Sequence, residues 1–456
     1  MAIILGLSLI FFLTLAILRL DLAVFMIIAF LPSYLLRFNV LGIPFTFLEA
    51  MILISFAVWF LRAAAPNLKN WIKKRRERIP YPYSLEIMAI IIISFLAVAI
   101  SGFNTSALGI WKAYFFEPIL LFILIMNVFQ NEKGRKKIIS AFILGAGTTA
   151  LVGLFQQITG LFIFNPFWAN LETRRVVSFF GYPNAVGLFL APLVIIFSGY
   201  FLTIKGWGEK ETLNKIAVVL VILISLLAIY FAKSEGAIIG ILAAVFLCSL
   251  FANKKSRIAA IVLALASMLI IFSVPTLKSY ATDKIFLRDL SGEIRQRQWT
   301  ETMMSLKGWK ILSGNGLSGY QAAVAPYHQM GIFFNRDKIE NFDAQLRASA
   351  EMRTKYWQPV EIYLYPHNIF LNFWSELGIL GALVFSWLIF KYLFISLKLF
   401  FQTKNYLALG LFGAMIVITI HGLVDVPYFK NDLAAIFFIL LALLGSLTTE
   451  VKFKKI

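Results

Sequence analysis

The chain has 456 residues, of which 60% are hydrophobic, 16% are aromatic and only 14% are charged, and its mean hydropathy is +0.83. So apolar a composition excludes an ordinary soluble domain and is typical of a polytopic α-helical membrane protein. The excess of 42 Lys and Arg over 23 Asp and Glu could indicate nucleic-acid binding, but in a membrane protein it usually reflects basic cytoplasmic loops. We therefore expect no nucleic-acid partner.

Apolar runs suited to crossing a bilayer recur along the chain. A spanning helix needs about 20 mostly apolar residues. The thirteen candidate runs are centred on residues 2–18, 22–36, 45–61, 85–101, 108–129, 138–160, 184–204, 216–232, 235–252, 258–274, 368–397, 405–423 and 431–448. The first two are short, so the first 36 residues could form one broken span or two. The sequence predicts an all-α polytopic membrane protein with about 12–13 transmembrane helices.

Basic residues predict which side of the membrane each loop faces. They gather after every second run, in segments 62–78, 133–137, 205–215, 254–257 and 398–404 and in the C-terminal tail. In an alternating topology these segments share one side, which the positive-inside rule assigns to the cytoplasm. The opposite side then receives segments 161–183, 233–234, 275–366 and 424–430.

The same pattern divides the chain into four parts. Residues 1–160 form N-terminal transmembrane helices, and residues 161–274 form central helices with an arginine-containing outer loop. Residues 275–366 form a large extracytoplasmic loop, and residues 367–456 form the C-terminal helices. The large loop carries charges of both signs, and so long a loop is usually functional. Helical periodicity in DAQLRASAEMRTKYW and a turn in LSGNGLSGYQ predict that it is mainly helical.

Three outer segments place polar residues at the start of the following helix. They are Arg174, Arg175 and Asn184 in RRVVSFFGYPNAVG, Lys233 and Ser234 in FAKSEGAIIG, and His367 and Asn368 in YPHNIF. Unpaired N–H groups and the positive end of the helix dipole make such starts favourable for anions. Together with the cationic side chains, they suit a diphosphate held at the membrane surface.

Each of these residues also has a structural explanation. The two adjacent arginines could extend to lipid headgroups. Ser234 and Asn368 could be ordinary N-caps of their helices. His367 could be an interfacial histidine whose ring is satisfied by a backbone carbonyl. The sequence alone leaves these alternatives open.

Other polar residues lie within or beside the apolar runs. Glu376, nine residues after His367, is expected to be a buried structural carboxylate paired across helices. His421 and Asp425, four residues apart at an outward helix end, could pair with each other. His328 belongs to no recognisable pattern.

The sequence contains no pattern typical of a metal or nucleotide site. It has no G-x-x-x-x-G-K-[ST] phosphate loop, no H-E-x-x-H motif, no cysteine cluster and no D-x-D pair. We therefore expect neither a metal nor a cofactor. If the chemistry involves a sugar diphosphate, cationic side chains must neutralise the leaving group.

The ordered motifs resemble the O-antigen ligase and polymerase superfamily, bacterial membrane glycosyltransferases with a Wzy-C-type core. The resemblance rests on GYPNAVGLFL after an arginine, KSEG, EIRQRQWTETM with ILSGNGLSGYQ, PHNIFLNFWSELGILG and HGLVDVPYFKNDL. It covers roughly Arg174 to the C-terminus. It implies a GT-C-like membrane protein with a large periplasmic loop before the histidine. It also implies metal-independent transfer of a glycan from undecaprenyl diphosphate to a sugar hydroxyl.

The resemblance also implies roles for individual residues. His367 would be the catalytic residue that activates the acceptor hydroxyl, a role that suits a neutral imidazole with a reference pKa near 6.5. Arg174 or Arg175, together with Arg295, would bind the diphosphate. Arg295 lies four residues before a tryptophan, as is usual in the family, which favours it over Arg297.

One motif departs from the family pattern. Where the family often has Ser-Arg-Gly, this chain has Ser234-Glu235-Gly236. A cation is therefore missing at that position, and Lys233 could substitute for it in binding the diphosphate. The residues expected to support the site are Asn184, Ser234 and Asn368.

The predicted function is that of a glycosyltransferase in the bacterial inner membrane, with its active site facing the periplasm. Its expected partners are a lipid-linked oligosaccharide donor, a glycan or lipid A-core acceptor, membrane lipids and, as a candidate, a chain-length regulator. If the acceptor is a repeat unit, the protein is an O-antigen polymerase. If it is lipid A-core, the protein is a ligase of lipopolysaccharide biosynthesis. If it is a protein hydroxyl, the protein is an oligosaccharyltransferase. The polymerase and the ligase are favoured over protein transfer only as the commoner activities of the family, and the sequence does not separate these two.

Two other classes of function are alternatives. A polysaccharide exporter or other secondary transporter would use intramembrane ionisable residues to line a pathway. The candidates for such a pathway are Glu49, Glu86, Lys112 and Glu117. A non-enzymatic scaffold for glycan assembly would instead have no transfer activity of its own.

Overall fold

The computed structural model describes residues 2–40, 43–64, 82–206 and 208–453. Within these residues, eight helices are long and apolar enough to cross a membrane, and four shorter helices are also apolar. The prediction of an all-α polytopic membrane protein is therefore confirmed. Most of the basic segment 62–78 and the last three residues of the tail lie outside the described residues.

Helices form most of the described chain. In chain order they are Ala2–Leu18 (α1), Leu20–Ala29 (α2), Phe47–Trp59 (α3), Ser84–Ile100 (α4), Thr105–Trp111 (α5), Glu117–Val128 (α6), Glu132–Thr159 (α7), Pro166–Ala169 (α8), Asn184–Phe201 (α9), Glu209–Phe231 (α10), Glu235–Ala252 (α11), Lys254–Ser273 (α12), Pro275–Ile285 (α13), Leu290–Ser305 (α14), Lys310–Ser313 (α15), Tyr320–Val324 (α16), Phe342–Ala348 (α17), Ala350–Tyr356 (α18), Ile369–Thr403 (α19), Tyr406–His421 (α20) and Asn431–Phe453 (α21). Each of the thirteen apolar runs thus overlaps at least one helix.

Four short strands form two antiparallel pairs. Arg37–Val40 (β1) pairs with Ile43–Thr46 (β2), with Arg37 opposite Thr46. Gly331–Phe333 (β3) pairs with Trp357–Pro359 (β4) inside the large loop. With α13 to α18 around this second pair, segment 275–366 is mainly helical, as predicted. The four-part division of the chain stays a prediction.

The second apolar run is not a complete span. Only Arg19 separates α1 from α2, and α2 has 10 residues. Such a helix is about 15 Å long, roughly half the thickness of the hydrocarbon core. A 3₁₀ turn at Leu31–Leu35, with a proline in its first positions, follows it. The first 36 residues therefore form a helix and a half-length helix rather than one continuous span.

Helices α9 and α21 lie at the centre of the bundle, whereas α12 lies at its edge. In α21 every residue from Leu433 to Leu444 is buried, and α12 has no buried residue. Close crossing depends on glycine, because a Cβ at Gly199 would lie 2.6 Å from the Cα of Gly410 in α20. Small residues at such crossings let membrane helices pack closely.

Polar contacts bring the segments predicted to be cytoplasmic to one end of the bundle. Lys137 near the start of α7 forms an ion pair with Asp21 in the first turn of α2. Arg135 donates to the Ser446 hydroxyl of α21 at 3.2 Å. The N-terminal and C-terminal parts of the chain therefore meet at this end. The polar helix starts identified in the sequence gather at the other end.

Helix α19 is broken by the loop that carries the LSGNGLSG motif. Gly378 has φ +75° and ψ 176° inside the helix, a conformation that favours glycine. A Cβ at Gly378 would lie 1.8 Å from the Leu312 carbonyl oxygen. The Asn315 N–H donates to the Ser375 carbonyl at 2.6 Å. The ILSGNGLSGYQ and SELGILG motifs are therefore two halves of one packing unit.

Glu376 lies beside this break and is buried. Its Oε2 atom has no hydrogen-bond partner among the described residues, and no ion pair joins it to a cation there. The expected pairing across helices is therefore wrong. Gly314 packs directly against the Glu376 backbone, since a Cβ at Gly314 would lie 2.9 Å from the Glu376 carbonyl carbon. Loop backbone therefore lies where a partner helix was expected.

Candidate active site

Four consecutive residues after α20 receive hydrogen bonds from three segments that are distant in sequence. This segment, 422–425, belongs to the HGLVDVPYF motif. The Ile369 N–H donates to the Gly422 carbonyl at 2.8 Å, and the Asn368 amide donates to the Leu423 carbonyl at 3.1 Å. Arg295 Nε donates to the Val424 carbonyl at 2.9 Å. The Asn184 amide donates to Asp425 Oδ2 at 3.3 Å. Segment 422–425 therefore joins the starts of α9 and α19 to α14.

His367 stands immediately before the N-cap of α19, with its backbone in the left-handed region at φ +47°. Its Nδ1 lies 3.0 Å from Oε1 of Gln298. Because an amide oxygen only accepts, Nδ1–H is the donor and Nε2 carries the lone pair. The Tyr363 ring packs edge-on against the imidazole, with the centroids 5.1 Å apart. Nε2 itself has no hydrogen-bond partner within the part of the chain that the structure describes.

The surroundings of His367 favour its neutral form. Burial lowers the pKa of the imidazole below its ordinary value, the Asp425 carboxylate raises it, and the Arg295 guanidinium lowers it. The net shift is downward, so the ring is neutral at pH 7. A neutral imidazole with a free Nε2 can accept a proton from a hydroxyl group.

One face of α14 positions the histidine segment. Arg295, Gln298 and Trp299 share this face because residues three and four apart are neighbours on a helix. Trp299 Nε1 donates to the Pro366 carbonyl at 2.8 Å, next to His367. The sequence interpretation did not single out Gln298, although its spacing from Arg295 was the signal that could have identified it.

Arg297 points to a different cluster within the large loop. Its Nε lies 3.5 Å from Glu301 Oε1, and the Gln329 N–H donates to the same oxygen at 3.0 Å. His328 joins this cluster, with Nδ1 3.2 Å from Glu301 Oε2 and Nε2 3.0 Å from the Val360 carbonyl. The structure therefore brings Arg295, but not Arg297, to the segment 422–425.

Arg175 lies between the starts of α9 and α11. Its Nε donates to the Ala232 carbonyl at 3.0 Å, and its Nη2 donates to Asn184 Oδ1 at 3.1 Å and to the Lys233 carbonyl at 3.3 Å. Asn184 also donates to Asp425, so its amide connects the Arg175 guanidinium to the segment 422–425. Arg175 and Arg295 therefore reach this segment from two sides.

Arg174 is held elsewhere by backbone carbonyls. Its Nη1 donates to the Gln157 carbonyl at 2.9 Å, and its Nε and Nη2 donate to the Ala169 carbonyl at 3.2 and 3.1 Å. Its guanidinium also lies against Gly160, where a Cβ would be 2.6 Å from Nη2. These contacts tie the end of α7 to the outer loop. Of the two adjacent arginines, only Arg175 reaches the cluster around Asp425.

Two predicted residues occupy the start of α11. The Lys233 side chain is exposed, and its backbone is left-handed at φ +51°. Ser234 is buried and makes no side-chain cap hydrogen bond, so its interpretation as an ordinary N-cap is wrong. Its hydroxyl lies where α11 crosses α9, and a Cβ at Gly187 would be 2.2 Å from it. Close helix packing therefore fixes the position of Ser234. Its neighbour Lys233 is a residue whose carbonyl accepts from Arg175.

Glu235, which stands where the family often has an arginine, pairs with the large loop. Lys284 Nζ lies 2.6 Å from its carboxylate, and the Tyr280 hydroxyl donates to it at 3.2 Å. Lys284 also contacts Asp289 at 2.9 Å. The carboxylate at this position therefore attaches α13 to the start of α11.

Two further expectations about capping and pairing can be compared with the structure. Asn368 is the N-cap of α19, since its Oδ1 accepts from the Leu371 N–H at 3.0 Å. His421 and Asp425 do not form the expected hydrogen bond. The Asp425 carboxylate instead accepts from Asn184 and, at 2.8 Å, from the Val426 N–H. The Asp425 carboxylate thus belongs to the cluster around His367.

The cluster combines a neutral base with two guanidinium groups. Its geometry suits a ligand that carries a diphosphate next to the carbon atom that reacts, because guanidinium groups bind phosphate oxygens strongly. Among residues 2–40, 43–64, 82–206 and 208–453, no group of three or more His, Cys, Asp and Glu side chains could hold a metal ion.

A protein-family model matches part of the chain. The model of the O-antigen ligase family, Wzy_C, matches residues 220–386. The matched region runs from α10 into α19, and it includes Lys233, Arg295 and His367. No curated protein sequence matches the chain significantly.

Proposed function

We propose that the chain is a member of the O-antigen ligase and polymerase superfamily, whose family model matches residues 220–386. We further propose that it transfers a glycan from undecaprenyl diphosphate to an acceptor hydroxyl at the periplasmic face of the inner membrane. The family indicates a glycosyltransferase-like enzyme with a lipid-linked glycan donor and a glycan acceptor. The observation that carries the proposal is the hydrogen bond from His367 Nδ1–H to Gln298. It leaves Nε2 free in the cluster that contains Arg175 and Arg295.

His367 acts as the general base in this proposal. Nε2 takes the proton of the acceptor hydroxyl while the hydroxyl oxygen attacks the anomeric carbon of the donor. The bond between that carbon and the diphosphate oxygen breaks, and the diphosphate leaves with the bonding electron pair. Direct attack inverts the configuration at the anomeric carbon. The carboxylate of Asp425 favours the imidazolium that forms.

Arg175 and Arg295 stabilise the leaving diphosphate. The hydrogen bonds of Arg175 use Nε and Nη2, and that of Arg295 uses Nε. The remaining guanidinium N–H groups have no partner within the described residues. They can donate in pairs to phosphate oxygens and neutralise the charge that develops during bond breaking. Metal-independent transfer is part of this proposal.

The identity of the acceptor divides the proposal into an O-antigen polymerase and a ligase. Both need the same donor, the same base and the same stabilisation of the diphosphate. Neither the site geometry nor the family match favours one acceptor over the other. The comparisons give no support for a chain-length regulator as a partner.

The transporter alternative finds less support. Three of its four intramembrane candidates are paired, since Lys112 lies 3.2 Å from Glu49 and Lys391 lies 2.7 Å from Glu86. Glu117 keeps a buried Oε1 without a hydrogen-bond partner among the described residues. Paired charges inside the bundle are typical of structural ion pairs as well as of transport pathways.

A transfer assay with the purified full-length chain tests the proposed function. Lipid-linked oligosaccharide and a glycan acceptor are incubated with the protein in EDTA, and the transferred glycan is measured. We expect transfer in EDTA. Absence of transfer by the pure protein would favour a scaffold or transporter, and activity restored only by Mg²⁺ would mean that a metal carries the role given to the arginines.

A further inference from the structure

A cavity of about 420 Å³ lies between the β1–β2 hairpin, α5 and the start of α21. Its polar lining includes Arg37, Asn39, Glu49, Lys112 and Asn431. His367 is not part of the lining, so the cavity is distinct from the cluster around segment 422–425. Cavities of this size bind small ligands when a few polar groups are fixed inside them.

Glu49 fixes three walls of this cavity. It is only 4% exposed, and it accepts from the Thr46 N–H at 2.9 Å and from the Asn431 amide at 3.3 Å. Lys112 Nζ lies 3.2 Å from the same carboxylate, and it also donates to the Pro44 carbonyl at 3.2 Å. The hairpin, the α5–α6 segment and α21 are therefore held in place by one buried carboxylate.

The wall that contains Lys112 has an unusual backbone. Between α5 and α6, Lys112–Phe116 forms a π-helical turn. Such turns are rare and often occur at functional sites. Lys112 and Tyr114 from this turn both line the cavity.

The charges in the lining favour an anionic ligand group. The Glu49 carboxylate is balanced by Lys112, whereas the exposed Arg37 side chain has no partner among the residues that the structure describes. Arg37 is therefore an uncompensated cation at the cavity. Its guanidinium can donate two parallel hydrogen bonds to a carboxylate or phosphate.

Other lining groups suit a sugar ring. The Phe38 and Phe45 rings are stacked across the hairpin, with centroids 6.2 Å apart and an interplanar angle of 20°. Both line the cavity, together with the amides of Asn39 and Asn431. Because Lys112 Nζ lies 4.1 Å from the centroid of the Phe45 ring, the Phe38 ring is the one that can provide an apolar surface for the C–H face of a sugar. The amides can donate to and accept from the hydroxyls of the sugar.

The wall of the cavity and the segment before His367 pack against the same aromatic ring, that of Phe429. The Tyr114 ring contacts the Phe429 ring with a centroid distance of 6.1 Å. The Tyr365 ring contacts the same Phe429 ring with a centroid distance of 5.9 Å, and the Tyr365 hydroxyl donates to the Phe429 carbonyl at 2.9 Å. Tyr365 lies two residues before His367. The cavity wall is therefore packed against the segment that leads to His367.

We propose that this cavity binds an acidic sugar residue, carrying a carboxylate or a phosphate, of the acceptor glycan. The assignment to the acceptor rests on the proposed function, because the donor diphosphate is given to Arg175 and Arg295, neither of which lines the cavity. The binding of an acidic sugar to the cavity does not depend on the proposed function.

Direct binding to the purified full-length chain tests the sugar specificity. The probes are a disaccharide that contains glucuronic acid and the same disaccharide with its carboxylate reduced to an alcohol. We expect the acidic disaccharide to bind at least about tenfold more tightly, and Arg37→Gln to remove this difference, since a charge-assisted pair is lost. Equal binding of the two probes by the unmodified chain would overturn the proposal.

Arg347→Gln is the matched control, because Arg347 is an exposed arginine of the large loop. It should leave the binding of both probes unchanged, and an equal loss in both variants would contradict a specific site. Binding of both variants to vesicles of phosphatidylglycerol is measured as a further comparison. If Arg37→Gln weakens binding to these vesicles but not to the acidic disaccharide, the cavity holds a lipid headgroup and the proposal is wrong.

A kinetic experiment connects the cavity to the acceptor. With donor at saturation, Arg37→Gln should raise the acceptor KM about tenfold and leave kcat and the donor KM close to those of the unmodified chain. A change in the donor KM alone would overturn the assignment to the acceptor. If the unmodified chain shows no transfer but Arg37→Gln still loses the acidic disaccharide, the proposed function fails while the sugar site stands.

Discussion

The Nδ1 atom of His367 lies 3.0 Å from the Oε1 atom of Gln298. Gln298 is thus a positioning residue that fixes the ring orientation and leaves Nε2 as the basic nitrogen. We predict that Gln298→Ala lowers kcat at least about tenfold, because the imidazole loses its fixed tautomer. Single-turnover rates at saturating donor and acceptor measure this loss.

Gln298→Glu separates positioning from simple packing. A carboxylate next to Nδ1–H stabilises the imidazolium, so the pKa of His367 should rise and the acid limb of the rate profile should move to higher pH. Loss of rate in both variants without any shift of this limb would show that Gln298 only supports the fold.

The pH dependence of transfer should reflect the two charges that act on His367. The base must be neutral, so the rate should fall as the pH drops through the lowered pKa of the imidazole. Arg295 lowers this pKa and Asp425 raises it. We therefore predict that Arg295→Met moves the acid limb to higher pH and that Asp425→Asn moves it to lower pH. Profiles of kcat/KM between pH 4 and 8, about the range over which histidine titrates, measure both shifts, and shifts of the same sign would contradict the assignment.

Matched pairs of arginines test the binding of the diphosphate. Arg175→Ala and Arg295→Ala should each lower the transfer rate about 10²–10³-fold, because each removes charge stabilisation of the leaving group. Arg174→Ala and Arg297→Ala should have much smaller effects on the rate, since their guanidinium groups bind carbonyls and Glu301. Thermal unfolding of the four variants is the control for folding. An equal loss of rate in Arg174→Ala and Arg175→Ala, or in Arg297→Ala and Arg295→Ala, would contradict the assignment of the diphosphate to Arg175 and Arg295.

The orientation in the membrane is tested with reporter fusions. We predict that the loop containing Gln329 is periplasmic and that the C-terminus is cytoplasmic, because the basic segments are expected on one side. Fusions of a periplasm-dependent and a cytoplasm-dependent reporter at these two points should give opposite activities. The same activity at both points would place His367 and the basic segments on one side of the membrane and would invalidate the proposed periplasmic site.

The helices could be predicted from the sequence because length and apolar composition are local properties. The N-cap Asn368 was also within reach, since a cap depends on a few adjacent residues. Ser234 was misjudged because its environment depends on Gly187, a residue of another helix. The half-length α2 was misjudged in extent because apolar residues continue beyond Ala29 into the 3₁₀ turn.

The assembly of the site could not be derived in this way. Segment 422–425 gathers its partners from positions up to 241 residues away, and no periodicity encodes such contacts. The choice between Arg295 and Arg297 depends on which face of α14 meets that segment. The motifs that carry the family resemblance nevertheless contain most of the residues that the structure brings together in this cluster.

The most direct test of the general-base role is His367→Gln in the purified transfer assay. Glutamine can keep a hydrogen bond to the acceptor, but it cannot take a proton at neutral pH. His367→Ala is the companion variant, and binding of the donor lipid is measured for both. We expect both variants to bind the donor nearly as well as the unmodified chain and both to lose transfer. Near-normal turnover by His367→Gln would contradict the assignment of His367 as the base.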